Sequence, residues 1–192
     1  MNPRLAFVAA PLLTAAYGVI RILDGLDGSR GPGLAWTSGH LAFVAALVLF
    51  VPVFWEMRRL AGRGPVAATS VAIGLAGALA LIAQFGIDIV VGFQAADHDA
   101  MGPLFDRVRS VPGVPFVVYD AVPVLFYVGQ LALIVRLAAL RTVKVWVPLV
   151  FALGIVLPLV DKDLIPLGAV FMLVSFVPLI GRVSRTASPV PA

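Results

Sequence analysis

Hydrophobic residues in this chain do not alternate with polar ones at a strand or surface-helix period. They run on for most of its length and are broken by short polar clusters. The apolar runs extend from about Leu5 to Ile22, Ala35 to Leu60, Val66 to Phe93, Val114 to Leu140, Val143 to Val160 and Leu164 to Ile180. Even the shortest, at ~18 residues, makes ~27 Å of helix, which is enough to cross a bilayer core. The pattern predicts an all-α polytopic membrane helical bundle of about six transmembrane helices. Residues 1–181 then form one transmembrane domain, and 182–192, rich in Ser and Pro, a flexible C-terminal tail.

The interruptions carry their own signals. Arg4 before the first run imitates a signal peptide, but the run passes into Arg21 and Asp24 without a small-residue cleavage site, so it reads as a retained helix. A Gly/Pro-rich loop (Gly25 to Gly33) and the turn Gly62-Arg63-Gly64-Pro65 bound the second run. The third is rich in Ala and Gly, including Gly74 and Gly77, which suits close helix packing in lipid. Gln94 to Gly113 holds Asp97, His98, Asp99, Asp106, Arg107 and Arg109, is too polar for lipid, and is expected to form a short interfacial helix.

Composition sharpens this picture. Of 192 residues, 61% are hydrophobic and 12% charged, against about 25% charged in soluble domains. The chain has no cysteine, which removes disulfides, thiol catalysis and thiolate metal sites. A sequence pI of about 10.1 suggests nucleic-acid binding at first sight, but the basic residues stand at segment ends, where they set topology. Six crossings put both termini on one side, here side A. That side receives Arg4, Arg58, Arg59, Arg63, Arg136, Arg141, Lys144, Arg182 and Arg185 of the 14 basic residues. Side A is therefore expected to be cytoplasmic, with both termini there. The localisation implied is an integral protein of a bacterial plasma membrane.

Acids tell a different story from bases. All but Glu56 fall on or near side B: Asp24, Asp27, Asp88, Asp97, Asp99, Asp106, Asp120, Asp161 and Asp163. Asp88 lies inside an apolar run, one helical turn beyond Gln84. A carboxylate at membrane depth is costly unless paired, hydrated or neutralised, so it is a functional candidate by default. Counting from the helix ends puts His40, Asp88 and Asp120 within ~10 Å of one level. Helical spacing aligns Tyr17 with Arg21 and Asp24, Trp36 with His40, Gln84 with Asp88, and Asp120 with Tyr127 and Gln130. Pro123 withholds an N–H from the Tyr119 carbonyl and predicts a kink beside Asp120. The candidate catalytic residues are Asp88, Asp120 and His40. The candidate substrate-binding residues are Gln84, Trp36, Tyr17, Tyr119, Tyr127 and Phe85. Structural alternatives stand beside these: Asp88 paired with Arg21, His40 in a packing hydrogen bond, and Asp161 and Asp163 in a solvated hairpin.

Other chemistries lack their motifs. Asp97-His98-Asp99 does not converge on one point, and neither HExxH nor a facial triad occurs, so no metal is expected. Phosphate-binding glycine loops and GxSxG are missing too, and no cofactor is expected. A desolvated carboxyl group favours its neutral acid form, which can donate a proton while a second carboxylate or His takes one back. Aromatic faces stabilise developing cations. Trp36-x-x-x-His40 opening a helix, a basic turn, and a Gly/Ala-rich helix ending in Gln84 to Asp88 resemble small bacterial polytopic membrane proteins. In size and in its sparse intramembrane acids the chain is also similar to noncanonical integral membrane terpene cyclases. That resemblance implies an embedded acid, Asp88 or Asp120, donating a proton to start cyclisation or isomerisation of a prenyl or terpenoid substrate. DDxxD and DxDD are missing, which argues against metal-dependent diphosphate ionisation. The expected partners are a hydrophobic small molecule and membrane lipid, with no nucleic acid; oligomeric state is left open. The competing functions are a small transporter or channel and a non-catalytic membrane subunit.

Overall fold

A computed structural model describes residues 3–26 and 28–186, with side chains to Val183. Every regular element among the described residues is a helix, without a strand. In chain order the helices are α1 (Pro3–Asp24), α2 (Leu34–Leu60), α3 (Pro65–Gln94), α4 (His98–Arg109), α5 (Ala121–Ala139), α6 (Trp146–Val160) and α7 (Ile165–Thr186). A π-helical turn, Pro115–Asp120, leads into α5, and a 3-10 turn, Lys162–Leu164, leads into α7. Helices α1, α2, α3, α7 and the π–α5 unit are long and apolar enough to cross a membrane, whereas α6 is a shorter apolar helix of 15 residues. At 1.5 Å per residue α6 is ~22 Å long.

The helices close into a ring: α1 packs on α2 and α7, α3 on α2 and α5, and α6 on α5 and α7. Aromatic rings fill its interior. Phe50 meets Phe126 at 5.0 Å, Phe7 meets Phe176 at 5.2 Å, and Phe151 stacks on Phe176 at 5.9 Å. Edge-to-face and offset geometries of this kind suit the ring quadrupoles.

Small residues set the closest approaches. Ser70, Gly74 and Gly77 share a face of α3, and a Cβ on Gly77 would collide with the backbone of Leu125 and Phe126. Across the same interface, a Cβ on Gly129 would lie 2.5 Å from the Ser70 carbonyl oxygen. In lipid, where apolar surface gains nothing by leaving its solvent, such backbone proximity supplies the packing. Gly154 and Gly168 bring α6 and α7 together in the same way.

Several boundaries differ from the sequence pattern. The short helix expected within Gln94 to Gly113 is α4, capped by the Asp97 side chain, which accepts from the Ala100 N–H at 2.9 Å. Helix α6 starts only at Trp146, because a turn after Leu140 takes up the first residues of the run. Helix α7 passes Gly181 and reaches Thr186, because Val183, one turn after Leu179, is also buried. Residues 182–186 are thus helical, and the rest of the expected tail, 187–192, lies outside the described residues, as does Asp27.

The glycine contacts make a direct prediction. Gly77→Leu should lower stability by about 1–3 kcal/mol or prevent assembly, because the α3–α5 approach has no room for a side chain. Gly86→Ala, with nothing near its would-be Cβ, should be neutral or stabilising by up to ~1 kcal/mol. Thermal unfolding of the purified protein in detergent separates the two. Equal effects would mean that the α3–α5 interface is not formed as described.

Candidate functional site

Tyr17 and Arg21 from α1, Trp36 and His40 from α2, and Gln84, Phe85 and Asp88 from α3 converge on one cavity of about 210 Å³. Asp24, Arg30 and Lys162 complete its wall at the side-B end. The depth estimate therefore holds for these three helices. His40 is 6% and Asp88 9% exposed, so this imidazole and this carboxyl group are withdrawn from solvent.

Hydrogen bonds hold Trp36 and His40 on α2 relative to α3. The Trp36 indole N–H donates to the backbone carbonyl of Asp88 at 2.8 Å, tying α2 to α3 at the residue that carries the carboxylate. This contact depends on Gly92, where a Cβ would sit 2.6 Å from the indole ring. His40 Nδ1 lies 2.6 Å from the Trp36 carbonyl oxygen. A carbonyl can only accept, so Nδ1 carries the hydrogen. The other ring nitrogen, Nε2, then faces Asp88 Oδ2 at 3.6 Å.

That orientation has a chemical consequence. With one proton between them, the two groups are either imidazole beside carboxylic acid or imidazolium beside carboxylate. The separation is too long for a direct hydrogen bond. A small side-chain rotation or one bridging water brings them into proton-transfer range. The surroundings are aromatic: His40 lies 4.2 Å from the Trp36 ring, 5.1 Å from Phe85 and 5.7 Å from Tyr17, centroid to centroid. Below, Phe43 packs on Phe85 at 4.4 Å and opens the filled core.

The mouth is organised by Asp163. Arg21 pairs with it, and Arg30 Nη2 reaches its two carboxylate oxygens at 3.0 and 3.1 Å. Arg30 also donates from Nε to the Arg21 carbonyl at 3.2 Å. Arg21 is thus engaged by Asp163, and the acid nearest His40 is Asp88. The alternative of an Asp88–Arg21 pair is replaced by these two pairings. Asp161 instead caps the 3-10 turn, accepting from the Asp163 N–H at 2.8 Å.

Asp120, Tyr119 and Tyr127 do not line this cavity. Asp120 is exposed. The cause is the π turn, in which the Ala121 N–H bonds to the Phe116 carbonyl five residues back. Such a turn holds one residue more than an α turn, so the phase of α5 does not carry back through Asp120, whose φ is −108° and ψ −80°. Tyr119 packs under Arg109, whose guanidinium lies 5.0 Å from its ring centre, and Tyr127 packs against Phe126. Spacing arguments had no signal for Arg30, which arrives from the Gly/Pro loop. Lys162 enters through the α6–α7 turn. Among the described residues no group of three or more His, Asp or Glu is placed to hold a metal ion.

Comparison with known proteins finds no matching protein family, curated protein or solved structure.

The Trp36 contact is testable on its own. Trp36→Phe keeps a ring against His40 but loses the donor, with an expected cost of about 1 kcal/mol. Gly92→Val pushes the indole away, with an expected cost of about 1–3 kcal/mol. In a double-mutant cycle the two effects should be markedly non-additive, since both act on one contact. Strict additivity in the unfolding free energies would separate the indole from Gly92.

Proposed function

We propose that this protein is an integral membrane enzyme in which His40 and Asp88 exchange protons with a hydrophobic prenyl or terpenoid substrate, driving its isomerisation or cyclisation. The observation that carries the reading is the pair itself: a buried imidazole and a buried carboxyl group 3.6 Å apart in an aromatic pocket. The acid form of the pair gives a proton to an alkene carbon and leaves a carbocation. The faces of Trp36, Tyr17 and Phe85 attract that charge. Loss of a different proton to the pair restores it, so the product is an isomer of the substrate and no oxidant is consumed. Asp88 and His40 are the acid–base partners in this scheme, and Gln84 orients the substrate. Asp120 has no role in it.

Size and depth limit what enters. The cavity, about 210 Å³, is below the ~300–1,000 Å³ common for pockets that enclose a whole ligand. It takes the reacting end of a chain and leaves the remainder outside. Toward side A the path is blocked by Phe43, Phe50, Phe54 and Phe126, all at most 5% exposed. A transporter or channel needs a polar route at that place.

We further propose that α6 crosses the bilayer as the sixth span, with both termini cytoplasmic in a bacterial plasma membrane. Helix α6 runs antiparallel along α7: Ser175 Oγ donates to the Val147 carbonyl at 3.4 Å, and Gly154 faces Gly168. The surplus of Arg and Lys on side A supports the orientation.

The test is product analysis of lipid extracts from cells with and without the gene. Asp88→Asn should lower product at least about 100-fold, the lower range for a general acid–base residue. Asp120→Asn should leave the profile unchanged. A wild-type profile from a folded Asp88→Asn protein removes Asp88 from the chemistry and ends this reading.

A further inference from the structure

A second cavity lies at the opposite end of the bundle, between the α5–α6 loop and the last turns of α7, with a volume of about 770 Å³. It shares no residue with the His40–Asp88 pocket. Its polar character is one-sided. Arg141, Lys144 and Arg182 line it, and no acidic residue does so among the described residues. Glu56, the one acid that the sequence pattern assigns to side A, is hydrogen-bonded to Arg59. The three cations therefore gather without a carboxylate from the lining.

Its walls are apolar. Val145 is 72% and Trp146 40% exposed, and Pro178 adds a further apolar surface. Such exposure is unremarkable against acyl chains and unfavourable against water. A Trp at the start of a helix that enters the membrane is also the usual interfacial anchor. The site thus combines a cationic group of side chains with apolar flanks at the level where headgroups meet chains.

We infer that this cavity binds the phosphate headgroup of an anionic phospholipid, with the acyl chains lying against Val145 and Trp146. Charge complementarity selects the headgroup, since a basic pocket between transmembrane helices is the arrangement that holds anionic lipid. The apolar walls select lipid over free phosphate, which has nothing to place against them. Arg141 and Arg182 offer forked guanidinium donors for phosphate oxygens, and Lys144 a point charge. The bound lipid bridges the α5–α6 loop to α7.

Native mass spectrometry of the purified full chain tests this, with phosphatidylglycerol and phosphatidylcholine supplied in equal amounts. Preferential retention of phosphatidylglycerol is expected. Arg141→Gln, Lys144→Gln and Arg182→Gln should each weaken that preference about fivefold, the effect of one cation near a membrane surface. Arg63→Gln, a change to an exposed cation outside the cavity, should leave it unaltered, and Arg182→Lys should restore most of it. The inference is overturned by equal retention of the two lipids, or by an Arg63→Gln effect as large as the others, which would mean general surface charge. Displacement of the lipid by excess inorganic phosphate would also overturn it, by making this a free-anion site.

Discussion

A polar group inside an apolar bundle has no water to fall back on, so it must find its partner within the bundle. Most of the polar side chains here solve this locally. Thr14 and Ser70 each donate to the carbonyl one turn earlier in their own helix. Such bonds satisfy the hydroxyl but fix nothing between helices. The contacts that cross from one helix to another are few and therefore decide geometry. Trp36 to the Asp88 carbonyl sets α2 against α3, and Arg136 to the Ala61 carbonyl, at 2.9 Å, ties α5 to the end of α2. His40, one helical turn along from Trp36, bonds the Trp36 carbonyl through Nδ1 and faces the Asp88 side chain with Nε2. Trp36 thus bonds both members of the pair, Asp88 through its indole and His40 through its backbone carbonyl.

The same requirement shapes the side-B rim. Arg21 ends α1, Arg30 sits in the α1–α2 loop, and Asp163 lies between α6 and α7. Two guanidinium groups on one carboxylate hold three chain segments together, and His98 Nδ1, 2.6 Å from the Arg30 carbonyl, adds α4. An exposed ion pair contributes little by itself, but a network at partial burial holds geometry better than isolated pairs do. Because Asp163 occupies Arg21, Asp88 is left to His40.

Length and hydropathy made the bundle legible, because a run of apolar residues admits few alternatives when it is long enough to span lipid. The side-B level of Tyr17, Trp36, His40, Gln84, Phe85 and Asp88 was legible for a related reason: in regular helices, depth follows from counting residues. Asp120 shows the limit of counting. Depth survives a π turn with little error, but facing does not, since one extra residue rotates everything before it. Pro123 signalled an irregularity without giving its type or sense. The pairing of Arg21 with Asp163 was hidden for another reason. It joins residues 142 positions apart, and which of several acids at one level meets a given base depends on the ring order of the helices. That order follows from packing, above all from glycine faces such as Gly77 against Phe126, and not from hydropathy. The α6 start and the extension of α7 were missed because hydropathy continues smoothly through both.

Access from one side follows from the way the core is filled. Small residues on α3 let the α5 backbone approach closely at Gly77, and the Phe54 ring, packed edge-on to Phe126, fills the space beside Gly74. Those rings lie on the side-A side of Gln84, so the polar groups end in a blind pocket. In a blind pocket a proton taken up by the pair has only the bound molecule, or water entering from the rim, to which it can be returned. Net movement of protons across the bundle is then disfavoured, and local exchange with an occupant is favoured. A pocket with one mouth, a buried His40–Asp88 pair and aromatic walls supports the proposed chemistry on a bound molecule over passage through the membrane.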